Sequence, residues 1–85
     1  MRKILILSQA EEILDEITEP LFSQIISRIE LLRSFPELGG PMQDDYEGYR
    51  SLVVEMFLVI YRVISELEVE VALIHHCRRK PPSRF

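Results

Sequence analysis

The sequence predicts an α+β fold of order β-α-α-β-β-β, with a helical hairpin packed on one face of a small, mainly antiparallel sheet. Three observations carry the prediction. The run Met56-Phe57-Leu58-Val59-Ile60-Tyr61-Arg62-Val63-Ile64 is apolar at both parities but for one arginine, as a central strand covered on both faces requires. Upstream, two segments repeat apolar residues with helical periodicity and are separated by Pro20. On either side of the central run, strand-like segments are joined to it by links short enough to demand antiparallel neighbours.

Lys3 to Leu7 reads as the first, nearly all-apolar strand. Ser8 ends it and offers a helix cap, with Glu11 completing a Ser-x-x-Glu capping box. Ala10, Ile13, Leu14 and Ile17 make one helical stripe, while Glu11, Glu12, Asp15 and Glu16 take the solvated side. Thr18-Glu19-Pro20 breaks this helix, and proline is tolerated in the first turn of the next. The second stripe is Phe22, Ile25, Ile26, Ile29 and Leu32, ending before Phe35-Pro36. So tight a link between amphipathic helices implies an antiparallel hairpin. Residues 36–48 form the longest loop; Gly39-Gly40-Pro41 reads as turn chemistry, because no Lys-Ser/Thr and no helix follow to make a phosphate cradle.

The next strand runs from Tyr49 to Glu55, with Glu55-Met56 and Ser65-Glu66 as the reversals on either side of the central strand. In the central strand Leu58, Ile60, Arg62 and Ile64 point one way, and Phe57, Val59, Tyr61 and Val63 the other. The Arg62 side is expected to be free of helices. The last strand alternates, placing Leu67, Val69, Val71 and Leu73 inward and Glu68, Glu70, Ala72 and Ile74 outward. Continued, that parity puts His76 and Arg78 on the open side and His75, Cys77 and Arg79 on the core side. Pro81-Pro82 ends regular structure, so residues 1–85 form one domain with 81–85 as a short tail.

At 85 residues the core is small, with about 60% of the unfolded surface buried. The lone Cys77 rules out an internal disulfide and fits a reducing, cytoplasmic setting. The apolar run near the start is too short for a signal peptide, and nothing approaches the ~18 unbroken apolar residues of a membrane span. Net charge is −4, unevenly spread. Arg78, Arg79, Lys80 and Arg84 lie in an acid-free terminus, while the remainder holds 6 basic residues against 14 acidic ones. Such a distribution points to a local anion-contacting end.

His75-His76-Cys77 invites a metal, but neighbouring strand residues face opposite ways, so at most His75 and Cys77 share an ion. Two ligands are too few, and no metal or other cofactor is expected. Cys77 as a nucleophile lacks a base and an oxyanion site. The arginines are more informative. Arg50, Arg62, Arg78 and Arg79 lie on or just beyond three neighbouring strands, and guanidinium groups gathered on one sheet face suit phosphates or the carboxylates of an acidic peptide.

Ser8-x-Ala10-x-x-x-Ile13, Leu32-x-x-x-Pro36-x-Leu38-Gly39, Gly48-Tyr49-Arg50-Ser51-Leu52-Val53-Val54, Val59-Ile60-Tyr61-Arg62-Val63 and His75-His76-Cys77-Arg78-Arg79 occur in this order. Together they resemble the RelE/ParE superfamily, the toxins of bacterial type II toxin–antitoxin modules. The resemblance implies the same β-α-α-β-β-β fold, a role of the plasmid-stabilisation type and a cognate antitoxin protein as partner. Assembly as a homodimer, or as a heterotetramer with the antitoxin, is left open.

The RelE-like branch consists of ribosome-dependent mRNA endonucleases. In its YoeB-like members a catalytic arginine stands three residues before the central tyrosine, where this chain has Leu58. The histidine and tyrosine that follow the last-strand arginine there are Lys80 and Pro81 here. No catalytic residue is therefore carried over, and an mRNA interferase would have to use Arg62, His76, Arg78 and Lys80 instead. His75-x-x-Arg78-Arg79-x-Pro81 resembles the end of ParE-type chains, which poison DNA gyrase by binding. On that resemblance Arg50, Arg78, Arg79, Lys80 and Arg84 contact the target. Val53, Leu58, Ile60, Arg62, Ile64, Ala72 and Ile74 form an open face that the antitoxin covers, with an acid of the partner near Arg62. A third reading keeps the antitoxin-binding face alone, without toxicity.

Overall fold

A computed structural model of the chain describes residues 2–77. Its elements are β1 (Lys3–Ile6), α1 (Ser8–Glu16), α2 (Leu21–Leu31), β2 (Gly40–Pro41), a short 3₁₀ turn (Asp44–Tyr46), β3 (Arg50–Val54), β4 (Phe57–Val63) and β5 (Glu68–His76). The strands form one sheet in the order β1-β5-β4-β3-β2, with β1 parallel to β5 and the other pairs antiparallel. This is the α+β layout expected, with β1 on the β5 edge and a two-residue β2 added at the other.

The core lies between the helices and one face of the sheet. Ala10 and Leu14 of α1, and Ile25 and Ile29 of α2 with Leu32 beyond it, pack against Leu52, Val54, Phe57, Val59, Tyr61, Val69, Val71 and Ile74. The helix α1 lies over β5, and α2 over β3. Both apolar stripes read from the sequence supply this layer.

The start of α1 differs from expectation. Ser8 is the first helical residue, Leu7 is extended at the cap position, and no side chain caps the helix. Leu7 is already committed, because its N–H donates to Val71 O at 3.0 Å and its carbonyl accepts from Glu11 N–H at 2.9 Å. The strand passes into the helix with no residue left over for a capping box. Before α2 the corresponding work falls to Glu19, whose carboxylate accepts hydrogen bonds from the Ser23 N–H and hydroxyl. Those bonds hold its pKa below the usual carboxylate value.

The larger correction is in β5. Ile60 stands opposite Leu73, but Tyr61 stands opposite Val71, so Ala72 has no partner in β4. An extra residue of this kind reverses every later side chain. Val69 and Val71 face the core before the bulge and Ile74 does after it, at 1% exposure. Ile74 is therefore not on the open face, and His75 and His76 exchange the sides expected of them. Leu67, expected to point inward, precedes the strand and is exposed.

The long loop is fastened to the sheet by Tyr61. Its hydroxyl donates to Pro36 O at 2.7 Å and accepts from Gly39 N–H at 2.9 Å, while the residue has no exposed surface. Gly39 is needed for the close approach of the loop to the sheet. A Cβ there would lie 2.5 Å from Ser51 O and 2.9 Å from the Tyr61 ring.

Two substitutions test this anchor. Tyr61→Phe strands the Gly39 N–H and Pro36 carbonyl and is expected to cost about 1–3 kcal/mol in urea unfolding. Gly39→Ala forces β3 or the tyrosine ring to move and is expected to cost about 1–3 kcal/mol. An unchanged midpoint in both variants would show that the loop is not held through these groups.

Candidate functional site

The helix-free face can be read row by row from the strand register. Val53, Leu58 and His75 form one row, Ser51, Ile60 and Leu73 the next, and Arg62, Glu70 and Leu5 the third. In the third row Arg62 Nε donates to Glu70 Oε1 at 2.9 Å. The Glu70 side chain is only 12% exposed, that of Arg62 46%. Arg62 also lies over the Tyr49 ring, 5.3 Å from its centroid. The hydrogen bond to Glu70, followed by the charge of Glu70 and the Tyr49 oxygen, raises the Arg62 pKa above its ordinary value. The acid expected from a partner beside Arg62 is thus supplied by the chain itself.

The apolar part of the face is narrower than its parity suggested. Val53 is 58% exposed, Ile64 is 44% exposed, and Leu58 is half-buried. Ile60 has 2% of its surface left and Ala72 none. Ile60 sits on the middle strand, with Ser51 and Leu73 beside it and Leu58 and Arg62 along it, so its neighbours close over it. Leu73, half-buried in the same row, is the residue that sequence reading missed. Only the bulge brings it to this side, and alternation carries no sign of a bulge.

Arg50 and Arg62 do not gather on one face as anticipated. Arg50 is registered with Tyr61, on the helix side of β3, and its Nε donates to Gly39 O at 2.8 Å. It therefore does not share a face with Arg62. Arg78, Arg79, Lys80 and Arg84 lie outside the described residues. His76 packs edge-on against Phe57, with ring centroids 5.1 Å apart and planes at 77°. Together with Ile13, Glu16 and Ile17 it lines a recess of about 300 Å³ beneath α1. His76 and Arg62 are accordingly on opposite faces of the sheet. Cys77 is free and exposed, and no group of three metal-binding side chains occurs among the described residues. No described helix is long and apolar enough to cross a membrane.

This arrangement defines a RelE/ParE-like fold. The chain is similar in structure to the RelBE2 toxin–antitoxin complex of Mycobacterium tuberculosis, with a TM-score of 0.76 and 17% identity, covering 88% of this chain and 96% of that one. It is similar to the chromosomal ParDE system of P. aeruginosa, at 0.71 and 19% identity, covering 89% and 96%. The intact E. coli RelBE complex matches at 0.77 and 12% identity, covering 93% and 100%. Among curated protein sequences nothing matches. The family model described as the ParE toxin of the type II toxin–antitoxin system parDE matches residues 4–81. The chain belongs to that family of toxins.

The ion pair at the centre of the face predicts an asymmetry. Arg62→Ala leaves a nearly buried carboxylate unpaired and is expected to cost about 2–3 kcal/mol in urea unfolding. Glu70→Ala leaves a half-exposed arginine that water can serve, and is expected to cost about 1 kcal/mol. Removing both should be milder than removing Arg62 alone. The reverse order in the single variants would show that burial of Glu70 does not govern the pair.

Proposed function

We propose that this toxin acts in the ParE manner, stopping growth by binding and poisoning DNA gyrase, and that a cognate antitoxin neutralises it. The observation that carries the reading is the state of the groups a nuclease would need. Arg62 is engaged by Glu70 and Tyr49, and His76 is turned under α1 against Phe57. An mRNA interferase built on Arg62, His76, Arg78 and Lys80 would have its first two members on opposite faces of the sheet. Leu58, where YoeB-like chains have an arginine, adds only an apolar side chain. Poisoning by binding needs no general acid or base, and the match to the ParE family model supports the same branch.

The structural neighbours in complex with antitoxins support carrying that partner over to this chain. The surface assigned to it is the exposed remainder of the helix-free face, namely Val53, Leu58, Leu73 and Ile64. Aliphatic residues of the antitoxin cover these side chains, and the Arg62–Glu70 pair presents a neutral neighbour that asks no charge of the partner. Target contact is assigned to Arg78, Arg79, Lys80 and Arg84, cations suited to an enzyme that works on DNA; Arg50, on the helix side of β3 and tied to Gly39 O, is set apart from them.

Pulse expression in bacteria distinguishes the branches. Induction of the SOS response with intact messages is expected; immediate translation arrest with cleaved messages would overturn the gyrase reading, and no growth defect would leave an antitoxin-binding module. Arg78→Ala/Arg79→Ala should abolish toxicity while leaving antitoxin binding nearly intact, so retained toxicity would refute the role of the tail. Leu58→Asp should stay folded, because Phe57, Val59 and Tyr61 hold the helix side. It should weaken antitoxin binding by about 2–4 kcal/mol, the cost of an unpaired carboxylate in an apolar contact. Unchanged affinity in the folded variant would move the interface elsewhere.

A further inference from the structure

Away from the helix-free face, where the start of β1 meets the loop after α2 and the start of β3, lies an open recess of about 330 Å³. Arg2 and Arg50 line it, with Glu37, Tyr49, Pro36 and Val63 among its other walls. Nothing in the toxin reading uses Arg2. Its Nε is buried and has no acceptor among the described residues. A buried donor left without an acceptor is unusual, and a ligand is one of the few things that can supply it.

The Arg2 backbone and the Arg50 guanidinium are each fixed to the fold. The Arg2 backbone is clamped to the end of α2, its N–H donating to Arg33 O at 3.3 Å and its carbonyl accepting from Arg33 Nη1 at 3.1 Å. Arg50 is fixed through Nε to Gly39 O at 2.8 Å, a bond that leaves its two Nη groups for another acceptor. With Glu37 counted, the recess carries a formal charge of +1, which matches one carboxylate. Beyond it runs an apolar shelf. A second recess of about 470 Å³ shares Arg2, Pro36 and Glu37 with the first and adds Phe35 and Leu38, which are 60% and 41% exposed.

We propose that these adjoining recesses form a docking site for an acidic peptide segment of a protein partner. The Glu or Asp carboxylate enters between Arg2 and Arg50, and an apolar neighbour sits on Phe35 and Leu38. Guanidinium groups favour carboxylates through paired N–H donors. A nucleic-acid backbone would bring successive phosphates to a site with one net positive charge, which a single carboxylate already balances, so the peptide is the better fit. The assignment stands whether or not gyrase is the target.

The test uses the full ¹⁵N-labelled chain, following the Arg2 and Arg50 Nε–Hε signals and the Leu38 amide. The probes are N-acetyl-Leu-Glu-Leu-amide, the same peptide with Gln for Glu, and inorganic phosphate. Saturable shifts at all three positions are expected with the Glu peptide, with affinity at least about tenfold above the Gln peptide and above phosphate. Arg2→Gln removes a side chain that bonds nothing else described, and should cut peptide affinity about tenfold while leaving the rest of the amide spectrum in place. Equal binding of Glu and Gln peptides would overturn the proposal. So would phosphate saturating the arginines more tightly than the peptide, which would mark a phosphate site, or no saturable shift by about 10 mM peptide.

Discussion

Ala72 decides what the C-terminal half of this sheet shows to helices and to solvent. It has no partner in β4, and the strand beyond it is turned over relative to a regular ladder. Without that extra residue Ile74 would leave the core, Leu73 would replace it beneath α1, and His76 would stand on the helix-free side. With it, the inner layer remains apolar from Val69 through Ile74, and His76 closes against Phe57 at the sheet's end. A side chain larger than alanine would have to find room at a position with no exposed surface. The chemistry available on either face therefore follows from one residue whose own side chain is a methyl group.

The second constraint is electrostatic. A carboxylate as buried as Glu70 is tolerated only with a partner, and Arg62 is the partner across the strand pair. Glu70 holds Arg62 through its Nε, and the Arg62 guanidinium lies over the Tyr49 ring. The arginine that the sequence places on the antitoxin-covered face, beside an acid of the partner, is a structural cross-brace between β4 and β5. Pairs of this kind add little net stability but punish the loss of the buried member's partner, so they fix register more than they deepen the energy well. That suits a sheet already carrying a bulge, where pairing could otherwise slip.

Much of this was legible in the chain. Parity along Phe57 to Val63 assigns the two sides of β4 correctly, and the stripes through Leu14 and Ile29 place both helices. These features depend on local periodicity, which sequence records directly. What depends on the exact pairing of distant residues was not legible. The alternation Val69-Glu70-Val71-Ala72 continues without a break into Leu73-Ile74, so the extra residue leaves no mark. Glu70 and Arg62 share a parity but meet only if the β4–β5 turn has the right length. Ser8 and Glu11 spell a capping box that the strand before them pre-empts, because the Leu7 carbonyl already serves the Glu11 N–H. Gly39 looks like a turn residue, and its other reason, the approach of Ser51 and Tyr61, is visible only in three dimensions. Arg2 gave no signal at all, since a residue near the chain's start is ordinarily solvated.

The charged groups now separate by role in a way that net charge concealed. Arg62 is neutralised within the sheet and Arg33 is paired with Glu30 on α2. Arg50 is tied by its Nε to a backbone carbonyl, the Arg2 backbone is clamped to Arg33, and among the described residues neither guanidinium forms an ion pair. A neutralised cation on an apolar face removes the demand for a complementary charge, so shape and aliphatic contact set the fit there. Cations fixed without counter-ions do the opposite, and select for charge. Tyr49 belongs to both settings, one ring face beneath Arg62 and its residue a wall of the Arg2–Arg50 recess. Tyr49 therefore joins the two surfaces, although their recognition chemistry is different.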